Sequence, residues 1–462
     1  MKCTKGQLSI NVGITLCLLS ACATQSPPNP RVIPKQQKLQ PQFWIARDSH
    51  ANRIVLDANA IAAQNTRLLR LDPSVHDLEK FPSALTGSQV RSWIEKISEY
   101  QEDELFDSDG RKFERSTLEA LMHGIALESV PESQRTRYGM VVKRANLRTF
   151  PTPMRAYDSA DNQDIDRFQE TALFPGTPVV IAHESRDGNW WFVVSPLYAA
   201  WVEKPFIAIG NADEILAYPK KSPYLVVTAA TVKTVFTPTR PDVSELQLDM
   251  GVRVPVLADW PADKPVNGQH SYTAHVIELP ERATDGALRF VPALLPRSAD
   301  TSDDYLPLTR ANLLRQGFKF LGERYGWGHS YNARDCSGFV SDVYRSFGVQ
   351  LPRNTRDQAV TPALERIVFT ASDDHERRLA VLRNLEIGDL VYIPGHVMMV
   401  IGHENGMPYV IHDTTGVSYR EPQGGVARMV LNGVSVTPLT PLLFNREQPF
   451  VDHITSILRV RP

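Results

Sequence analysis

Cys336 is the residue of this chain that is best placed to act as a nucleophile. It follows an Arg-Asp pair and precedes Ser-Gly. Apolar residues then recur at i, i+3, i+4 and i+7, which predicts a helix with Cys336 in its first turn: Val340, Val343, Tyr344 and Phe347. A helix N-terminus offers free backbone N–H groups and a partial positive charge. Both favour a thiolate and stabilise the oxyanion that forms when it attacks a carbonyl.

A cysteine nucleophile needs a base, and two downstream histidines are candidates. His396 lies 396 − 336 = 60 residues after Cys336 and opens one predicted strand, and His412 lies in the next. We interpret His396 as the base and His412 as the group that orients its imidazole. His403 and His375 are alternative bases. They are less suited, because His403 is expected beyond the end of its strand and His375 in a charged loop or helix.

The cysteine count supports a special role for Cys336 without proving it. The chain has four cysteines, and Cys3, Cys17 and Cys22 all lie at its N-terminus. If that stretch is removed or modified, Cys336 is the only free thiol and no disulfide framework is possible. A single thiol in an exported protein is either a small buried apolar residue or a nucleophile, and the count alone leaves both open.

The first residues are typical of a secretory signal. Lys2 and Lys5 precede a short apolar run, which ends in Leu-Ser-Ala-Cys at Cys22. This pattern resembles the bacterial lipoprotein box, which implies a signal peptide at 1–21, a lipid on Cys22 and a membrane anchor on an exported protein. Because Ala23 rather than Asp follows, the outer membrane is the expected destination if the organism has one. The alternative is a simple cleaved signal with an incidental cysteine.

Composition excludes several other classes of function. The chain has 50 Lys plus Arg against 52 Asp plus Glu, so its net charge is −2. It has no basic cluster with interleaved aromatic residues, which argues against nucleic acid as a partner. It also has no His, Cys and Glu cluster at the spacing of metal ligands, so neither a metal nor another cofactor is implied.

The texture of the sequence divides the rest of the chain. A polar linker at 22–42 precedes a charged, helical segment at 43–137. Short alternating runs with Gly, Pro, Asp and Asn turns follow at 138–215 and 220–298. The first of these blocks resembles a bacterial SH3-like domain, and the second repeats the pattern less clearly. Such barrels commonly bind the cell wall, although a spacer that only packs against its neighbours is the alternative.

The C-terminal region, 300–462, carries a specific resemblance. The motifs Tyr325 to Gly328, Asp335 to Phe339, Leu351 to Thr355 and Gly388 to Val391 occur in order before the two histidine strands. Together they resemble the NlpC-type family of papain-like cell-wall cysteine peptidases. The resemblance implies an α+β multidomain protein. A papain-like core, with a helix carrying the cysteine on an antiparallel sheet, would follow two small SH3-like β-barrels and the helical segment.

The resemblance also implies an activity. Members of this family hydrolyse peptidoglycan stem peptides, typically between D-glutamate, through its gamma carboxyl, and a diamino acid such as diaminopimelate. Relatives with preceding SH3-like domains prefer peptides with a free N-terminal L-alanine. By this resemblance Tyr325 and Asp335 would contact the free amine and Ser337 would line the pocket. Arg353 would meet a substrate carboxylate and Tyr198 would help to close the pocket.

Two departures and two rival functions remain open. His329 follows Gly328 where many relatives have a second Gly, and Met398 and Met399 stand where a Gly is usual. Asp335 and Ser337 also have ordinary structural roles, as a helix N-cap and a first-turn hydrogen bond.

An amidase or acyltransferase acting on another wall substrate would use the same Cys-His-His set. A non-catalytic wall-binding lipoprotein would use none of it.

Overall fold

The computed structural model describes residues 32–99, 104–445 and 447–461. The predicted signal peptide and Cys22 lie outside the described residues. Within the described part of the chain, no helix has the length and apolar character that a membrane crossing requires.

The N-terminal segment is mainly helical, as predicted, with three short strands. Its amphipathic stretch at 88–97 forms a helix because Val90 and Ile94 share one buried face. Its elements are α1 (Pro41–Ile45), β1 (Ile54–Leu56), α2 (Ala58–Leu71), β2 (Ala84–Thr86), α3 (Gly87–Ile97), α4 (Arg115–Gly124) and β3 (Ser133–Arg135).

The next block is a seven-stranded antiparallel sheet. Its order is β10-β4-β7-β8-β9-β5-β6, formed from β4 (Arg137–Val141), β5 (Ala145–Arg148), β6 (Gln169–Leu173), β7 (Pro178–Glu184), β8 (Trp190–Val194), β9 (Ala199–Glu203) and β10 (Ile207–Gly210). Alternate residues of each strand face opposite sides. Phe192 and Trp201 pack against the N-terminal helices, whereas Trp191 and Val193 fill the sheet's other core.

The following block has three small sheets around one shared core. After α5 (Ala212–Ala217), the sheets are β14-β11-β17, β12-β13 and β15-β16. Leu225, Leu248, Ile277 and Leu295 are the centre of their core. The strands are β11 (Tyr224–Val227), β12 (Thr231–Lys233), β13 (Gln247–Asp249), β14 (Arg253–Pro255), β15 (Ala274–Arg282), β16 (Leu288–Pro296) and β17 (Thr301–Ser302), and β18 (Leu308–Thr309) follows and pairs with β1.

The C-terminal domain packs helices on an antiparallel sheet of order β19-β25-β20-β21-β22-β23, with β24 paired to β22. This arrangement agrees with the predicted α+β class. Its elements are α6 (Arg310–Phe318), α7 (Cys336–Arg345), α8 (Thr355–Val360), β19 (Glu365–Val368), α9 (His375–Leu382), β20 (Leu390–Ile393), β21 (His396–Glu404), β22 (Met407–Arg420), β23 (Val426–Pro438), β24 (Leu442–Leu443), α10 (Phe450–His453) and β25 (Ser456–Arg459).

The apolar face of α7 holds the nucleophile's helix on the sheet. Phe339, Val340 and Val343 are fully buried and share a core with Met399 and Ile411 of β21 and β22. Successive residues of β21 point to opposite faces. Met399 therefore belongs to this core, whereas its neighbour Met398 belongs to the core on the other side of the sheet.

The two histidines considered as alternative bases both lie in regular elements. His403 lies within β21, so the expectation that it follows the strand's end is wrong. The strand continues because residues 402–404 still pair with β22 beyond a bulge. His375 is the first residue of α9, in agreement with the charged helix expected there.

The N-terminal segment is anchored on the C-terminal domain through Trp44. Its side chain is 1% exposed and contacts the Tyr409 ring at 5.2 Å between centroids. A Cβ added at Gly402, where φ is +138°, would lie 2.9 Å from the Trp44 ring. The indole therefore fills a site on β21 that only glycine leaves open.

Trp44→Ala is expected to lower the free energy of unfolding by roughly 3–5 kcal/mol, because a large aromatic side chain leaves a cavity in a tight core. Urea denaturation measures the loss. Tyr272→Ala is the control, since Tyr272 is 77% exposed and its loss should cost little. Equal losses in the two variants would contradict this account of the anchor.

Candidate active site

Cys336 is the first residue of α7, as the spacing predicts. Asp335 caps the helix, because its Oδ1 accepts a hydrogen bond from the Gly338 N–H at 2.8 Å. The thiol is 5% exposed and is the free cysteine of the described residues. Its Sγ lies 3.6 Å from Thr355 Oγ1 and 4.0 Å from the Gly395 carbonyl oxygen.

The resting thiol is neutral. Burial raises the pKa of Cys336 to about 12, and the charge of Asp335 acts in the same direction, while hydrogen bonds from Thr355 and the Val397 N–H oppose the shift. The sequence predicted that the helix N-terminus would favour the thiolate. In the folded protein, desolvation outweighs that effect. The thiol must therefore lose its proton during attack, which requires a base beside it.

His396 lies between two residues whose backbones contact the thiol, and it is hydrogen-bonded to a second histidine. It opens β21 after the turn that contains Gly395, so the two residues flanking His396 in sequence both contact Cys336. Its Nε2 lies 2.7 Å from His412 Nδ1, and His412 Nε2 lies 3.0 Å from Thr437 Oγ1. A proton on His396 Nε2 that points to His412 leaves the lone pair of Nδ1 for the thiol proton.

Both histidines are neutral at physiological pH. Burial lowers the pKa of His396 to about 4, and burial together with His396 lowers the pKa of His412 well below its ordinary value. A neutral imidazole is the form that accepts a proton. The arrangement supplies a buried thiol, a neutral base and a partner that fixes the base's orientation.

The Asp335 carboxylate is enclosed by hydrogen-bond donors. Its Oδ2 accepts from the Gly328 N–H at 3.0 Å and from Arg353 Nη2 at 2.7 Å. Ser337 Oγ donates to Asp335 Oδ1 at 3.2 Å and accepts from Arg353 Nη1 at 2.9 Å. Arg353, which was expected to meet a substrate carboxylate, therefore neutralises Asp335 within the protein.

Tyr325 belongs to the same cluster. Its side chain is 7% exposed. Burial raises the pKa of Tyr325, and the charge of Asp335 acts in the same direction, so its hydroxyl stays protonated. The Tyr325 backbone is fixed by its N–H, which donates to the Asn432 carbonyl of β23 at 3.1 Å. The structure thus brings all the predicted site residues of this domain around the start of α7.

The SH3-like domain that contains strands β4 to β10, here called the first barrel, also contacts the residues around the start of α7. Arg353 Nε donates to Thr171 Oγ1 of β6 at 2.6 Å, and Gln169 Nε2 donates to the Gly328 carbonyl at 2.8 Å. Tyr198, which was expected to help close the pocket, donates from its hydroxyl to Glu170 at 2.5 Å. Sequence reasoning missed Glu170 and Thr171, because only the docking of two separate domains places them here.

His329, which stands where many relatives have a second glycine, has a structural role. It is 3% exposed, and its Nδ1 accepts a hydrogen bond from Arg353 Nη2 at 3.0 Å. Burial lowers the pKa of His329 well below its ordinary value, and the charge of Arg353 adds to the effect. A Cβ at Gly338 would lie 2.6 Å from His329 Cε1, so the glycine after Ser337 makes room for this ring.

Asp413 is a further residue that sequence reasoning missed. It follows His412 in β22 and is fully buried, and no side chain among the described residues hydrogen-bonds to its carboxyl oxygens. Burial raises the pKa of Asp413 to about 9, and the charges of Asp335 and Glu323 contribute. Asp413 is therefore a neutral carboxylic acid at pH 7 and adds little charge beside the thiol.

Among the residues that the structure describes, no group of three or more His, Cys, Asp or Glu side chains is placed to hold a metal ion. The chemistry follows from the thiol and the imidazoles. A thiol at the start of a helix, packed against an antiparallel sheet with two linked histidines, is the arrangement expected of a papain-like cysteine peptidase.

Comparison with known proteins identifies the domains. Residues 322–435 match the model of the NlpC/P60 family, and residues 155–203 match the model of an SH3 domain of the SH3b1 type. The chain therefore carries an NlpC/P60 domain preceded by an SH3b-type domain. The predicted NlpC-type resemblance and the first SH3-like resemblance are confirmed, whereas the second SH3-like barrel and the division of the chain into six segments stay predictions.

Two relatives extend this comparison. The chain is 27% identical over 220 residues to the gamma-D-glutamyl-L-lysine dipeptidyl-peptidase of Bacillus cereus (strain ATCC 10987 / NRS 248), and the match covers 45% of this chain and 55% of that protein. The chain thus spans about half the length of this curated relative. The structure of the present chain is similar to that of an NlpC/P60 endopeptidase from Photobacterium damselae subsp. piscicida. The TM-score is 0.72, and the two chains are 17% identical over 90% of this chain and 96% of that one.

Alkylation of Cys336 by iodoacetamide is expected to accelerate about tenfold for each pH unit between 7 and 9, because only the thiolate reacts and its fraction rises in that proportion below the pKa. The rate is measured by mass spectrometry on the chain from residue 23 onward, in which Cys336 is the only cysteine. A rate that is already constant from pH 6 to 9 would show a thiolate–imidazolium pair instead.

Asp413→Asn is expected to flatten the pH dependence of stability. A raised pKa means that the folded state keeps a proton that the unfolded state loses, so stability falls as pH rises from about 4 to about 9. Between pH 5 and 8 the variant should lose roughly 3–4 kcal/mol less than the wild type, since each pH unit in this window costs about 1.4 kcal/mol.

Urea denaturation at the two pH values measures this difference. Asp259→Asn, at an exposed position, is the matched control and should keep the wild-type pH dependence. An unchanged pH slope in Asp413→Asn would show that Asp413 is ionised in the folded protein.

Proposed function

We propose that the protein is a cell-wall peptide hydrolase that cuts the amide bond between the gamma carboxyl of D-glutamate and a diamino acid in peptidoglycan stem peptides. The observation that carries the proposal is the buried Cys336 thiol beside the hydrogen-bonded His396 and His412 pair in an NlpC/P60 domain. The name of the Bacillus cereus relative, a gamma-D-glutamyl-L-lysine dipeptidyl-peptidase, supports the class of bond.

The mechanism is acyl transfer through a thioester. His396 Nδ1 accepts the Cys336 proton as Sγ attacks the amide carbonyl carbon, and the backbone N–H groups at the start of α7 stabilise the oxyanion. The imidazolium then gives its proton to the leaving amine as the C–N bond breaks. Water attacks the thioester with His396 as base, which releases the acid and restores the thiol.

His412 and Thr437 keep the His396 ring in one orientation throughout. A neutral Cys336 thiol and a neutral His396 imidazole cost less to bury than a thiolate and an imidazolium, because an ionised thiolate would have to be desolvated in the resting enzyme. A bound substrate displaces water from the site. Its contacts with the protein form as the Cys336 proton moves to His396. The low pKa of His396 also makes its imidazolium a strong acid toward the leaving amine.

The preferred substrate in this proposal is a released peptide with a free N-terminal L-alanine. The support is the position of the first barrel, whose Thr171 contacts Arg353 and whose Glu170 carboxylate accepts from Tyr198 and Thr149. A carboxylate pairs well with an ammonium group. Asp335 is already paired with Arg353, so Glu170 joins Tyr325, Asp335 and Ser337 as a candidate for recognition of the amine.

We also propose that the mature protein is anchored by a lipid on Cys22 to a cell-envelope membrane, facing the wall. The support is the signal-like sequence before Cys22 and the polar stretch after it. Metabolic labelling with an alkyne fatty acid tests this, and Cys22→Ser should lose the label.

The activity is tested by mass spectrometry of products from L-Ala-gamma-D-Glu-diaminopimelate, with its N-terminal amine free or acetylated. We expect cleavage of the free peptide before diaminopimelate, and a loss of about a thousandfold or more in Cys336→Ala and His396→Ala because the nucleophile and base act as a unit. His412→Ala should lose about ten- to a hundredfold, as an orienting group.

His375→Ala is the matched control, because His375 is an exposed histidine on α9 and should keep activity within about twofold. Cleavage of the acetylated peptide at the same rate would contradict recognition of the free amine. If neither peptide is cut by a folded protein, the bond assignment is wrong, and the amidase or wall-binding alternatives come forward.

A further inference from the structure

Arg334 stands directly before Asp335 and Cys336 and is fully buried. All of its guanidinium nitrogens donate hydrogen bonds. Nε donates to Asp342 Oδ2 at 2.8 Å, and Nη1 donates to the two carboxylate oxygens of Glu323 at 2.9 and 3.1 Å. These two acids lie in the same domain as the nucleophile. A buried guanidinium held from several sides fixes the backbone that carries it.

The remaining nitrogen of Arg334 is satisfied from outside that domain. Nη2 donates to Asp249 Oδ1 at 2.7 Å and to the Ala230 carbonyl at 2.8 Å. Both acceptors belong to the second strand-rich block, and Asp249, the last residue of β13, is also fully buried. Without that block, Nη2 would be left in the interior with neither partner.

The first barrel holds the same segment of chain through Arg144. Its Nη2 donates to the carbonyl oxygens of His329 and Ala333, both at 3.0 Å. Its Nε faces Asp249 Oδ2 at 3.6 Å. Arg144 and Asp249 therefore link the two blocks at the place where both contact the residues leading to Cys336.

The segment that they hold has a strained backbone. Gly328, His329, Tyr331 and Asn332 have φ values of 55°, 63°, 59° and 57°. Left-handed conformations are unfavourable for residues other than glycine, so three of these four persist only where surrounding contacts determine them. The contacts available here include the hydrogen bonds that Arg144, Gln169 and Arg353 donate to this segment, the hydrogen bond from the Gly328 N–H to Asp335, and the ion pairs of Arg334.

We propose that Asp249 is a positioning residue for the nucleophile. It acts through Arg334, so that the second strand-rich block sets the place of Cys336 at the start of α7. Loss of the Asp249 charge would release Arg334 and the segment before Cys336. The thiol would then become more exposed and more easily ionised, and it would lie out of line with His396. The effect on turnover rests on the proposed function, whereas the effect on the thiol does not.

The test compares Asp249→Asn with Asp300→Asn in the chain from residue 23 onward. Asp300 also joins the second block to the C-terminal domain, through Lys319 at 2.6 Å, but it does not contact the segment before Cys336. In Asp249→Asn we expect iodoacetamide to modify Cys336 at least tenfold faster at pH 7.5. Turnover of the free peptide should fall at least tenfold in kcat, with KM within threefold. Asp300→Asn should stay within twofold of wild type in both.

Urea distinguishes positioning from loss of stability. Alkylation through global unfolding rises steeply with urea, whereas alkylation of a displaced thiol in the folded protein does not. Between 0 and 1 M urea, the fast rate of Asp249→Asn should therefore be nearly constant. Asp249→Glu, which keeps the charge, should recover most of the wild-type behaviour.

Several results would overturn the proposal. One is a folded Asp249→Asn with wild-type alkylation and kcat, and another is a fast rate that appears only with urea. If Asp249→Asn does not fold, Arg334→Lys replaces it, since a single ammonium cannot reach three carboxylates, and the same changes are expected. Failure of both to fold while Asp300→Asn folds would show a purely structural role. If wild type cuts no peptide, the proposed function fails, but alkylation still decides the positioning role.

Discussion

The carboxylate of Asp335 is the group on which the site's geometry depends. One side chain caps α7, accepts the Gly328 N–H and pairs with Arg353. Each contact satisfies a charge or a polar group that would be costly to bury alone. Since Cys336 is the next residue, the same interactions fix where the thiol lies relative to the sheet. The helix and the preceding turn are joined at this carboxylate, and Arg353 extends the contacts to Thr171 of the first barrel.

The chemistry of the site follows from its burial. A thiol, two imidazoles and the carboxyl of Asp413 lie within one poorly hydrated region, and burial shifts the pKa of each toward its neutral form. The resting site therefore holds few net charges of its own. The charges that remain, Asp335 and Arg353, neutralise each other.

The strand-rich blocks take part in building the site. Residues of the first barrel donate hydrogen bonds to the segment between Gly328 and Arg334, and Asp249 of the second strand-rich block accepts one from it. This segment has an unfavourable backbone conformation and leads to the nucleophile. A segment of this kind cannot be kept in place by its own local preferences. Arg144, Asp249 and Arg334 are the buried charged residues that join this segment to the two strand-rich blocks.

The sequence by itself determined the class of domain, and it predicted Cys336 as the nucleophile and His396 and His412 as its partners. Helical spacing after Cys336 and strand patterns around His396 and His412 are local properties, and the ordered motifs limit the fold to one family. Tertiary structure decided the protonation states, because they depend on burial. It also decided the partners and the burial of Arg353, Glu170, Asp413 and Asp249. Those side chains are distant from Cys336 in sequence or lack a local signal, and their partners exist only after the domains have packed.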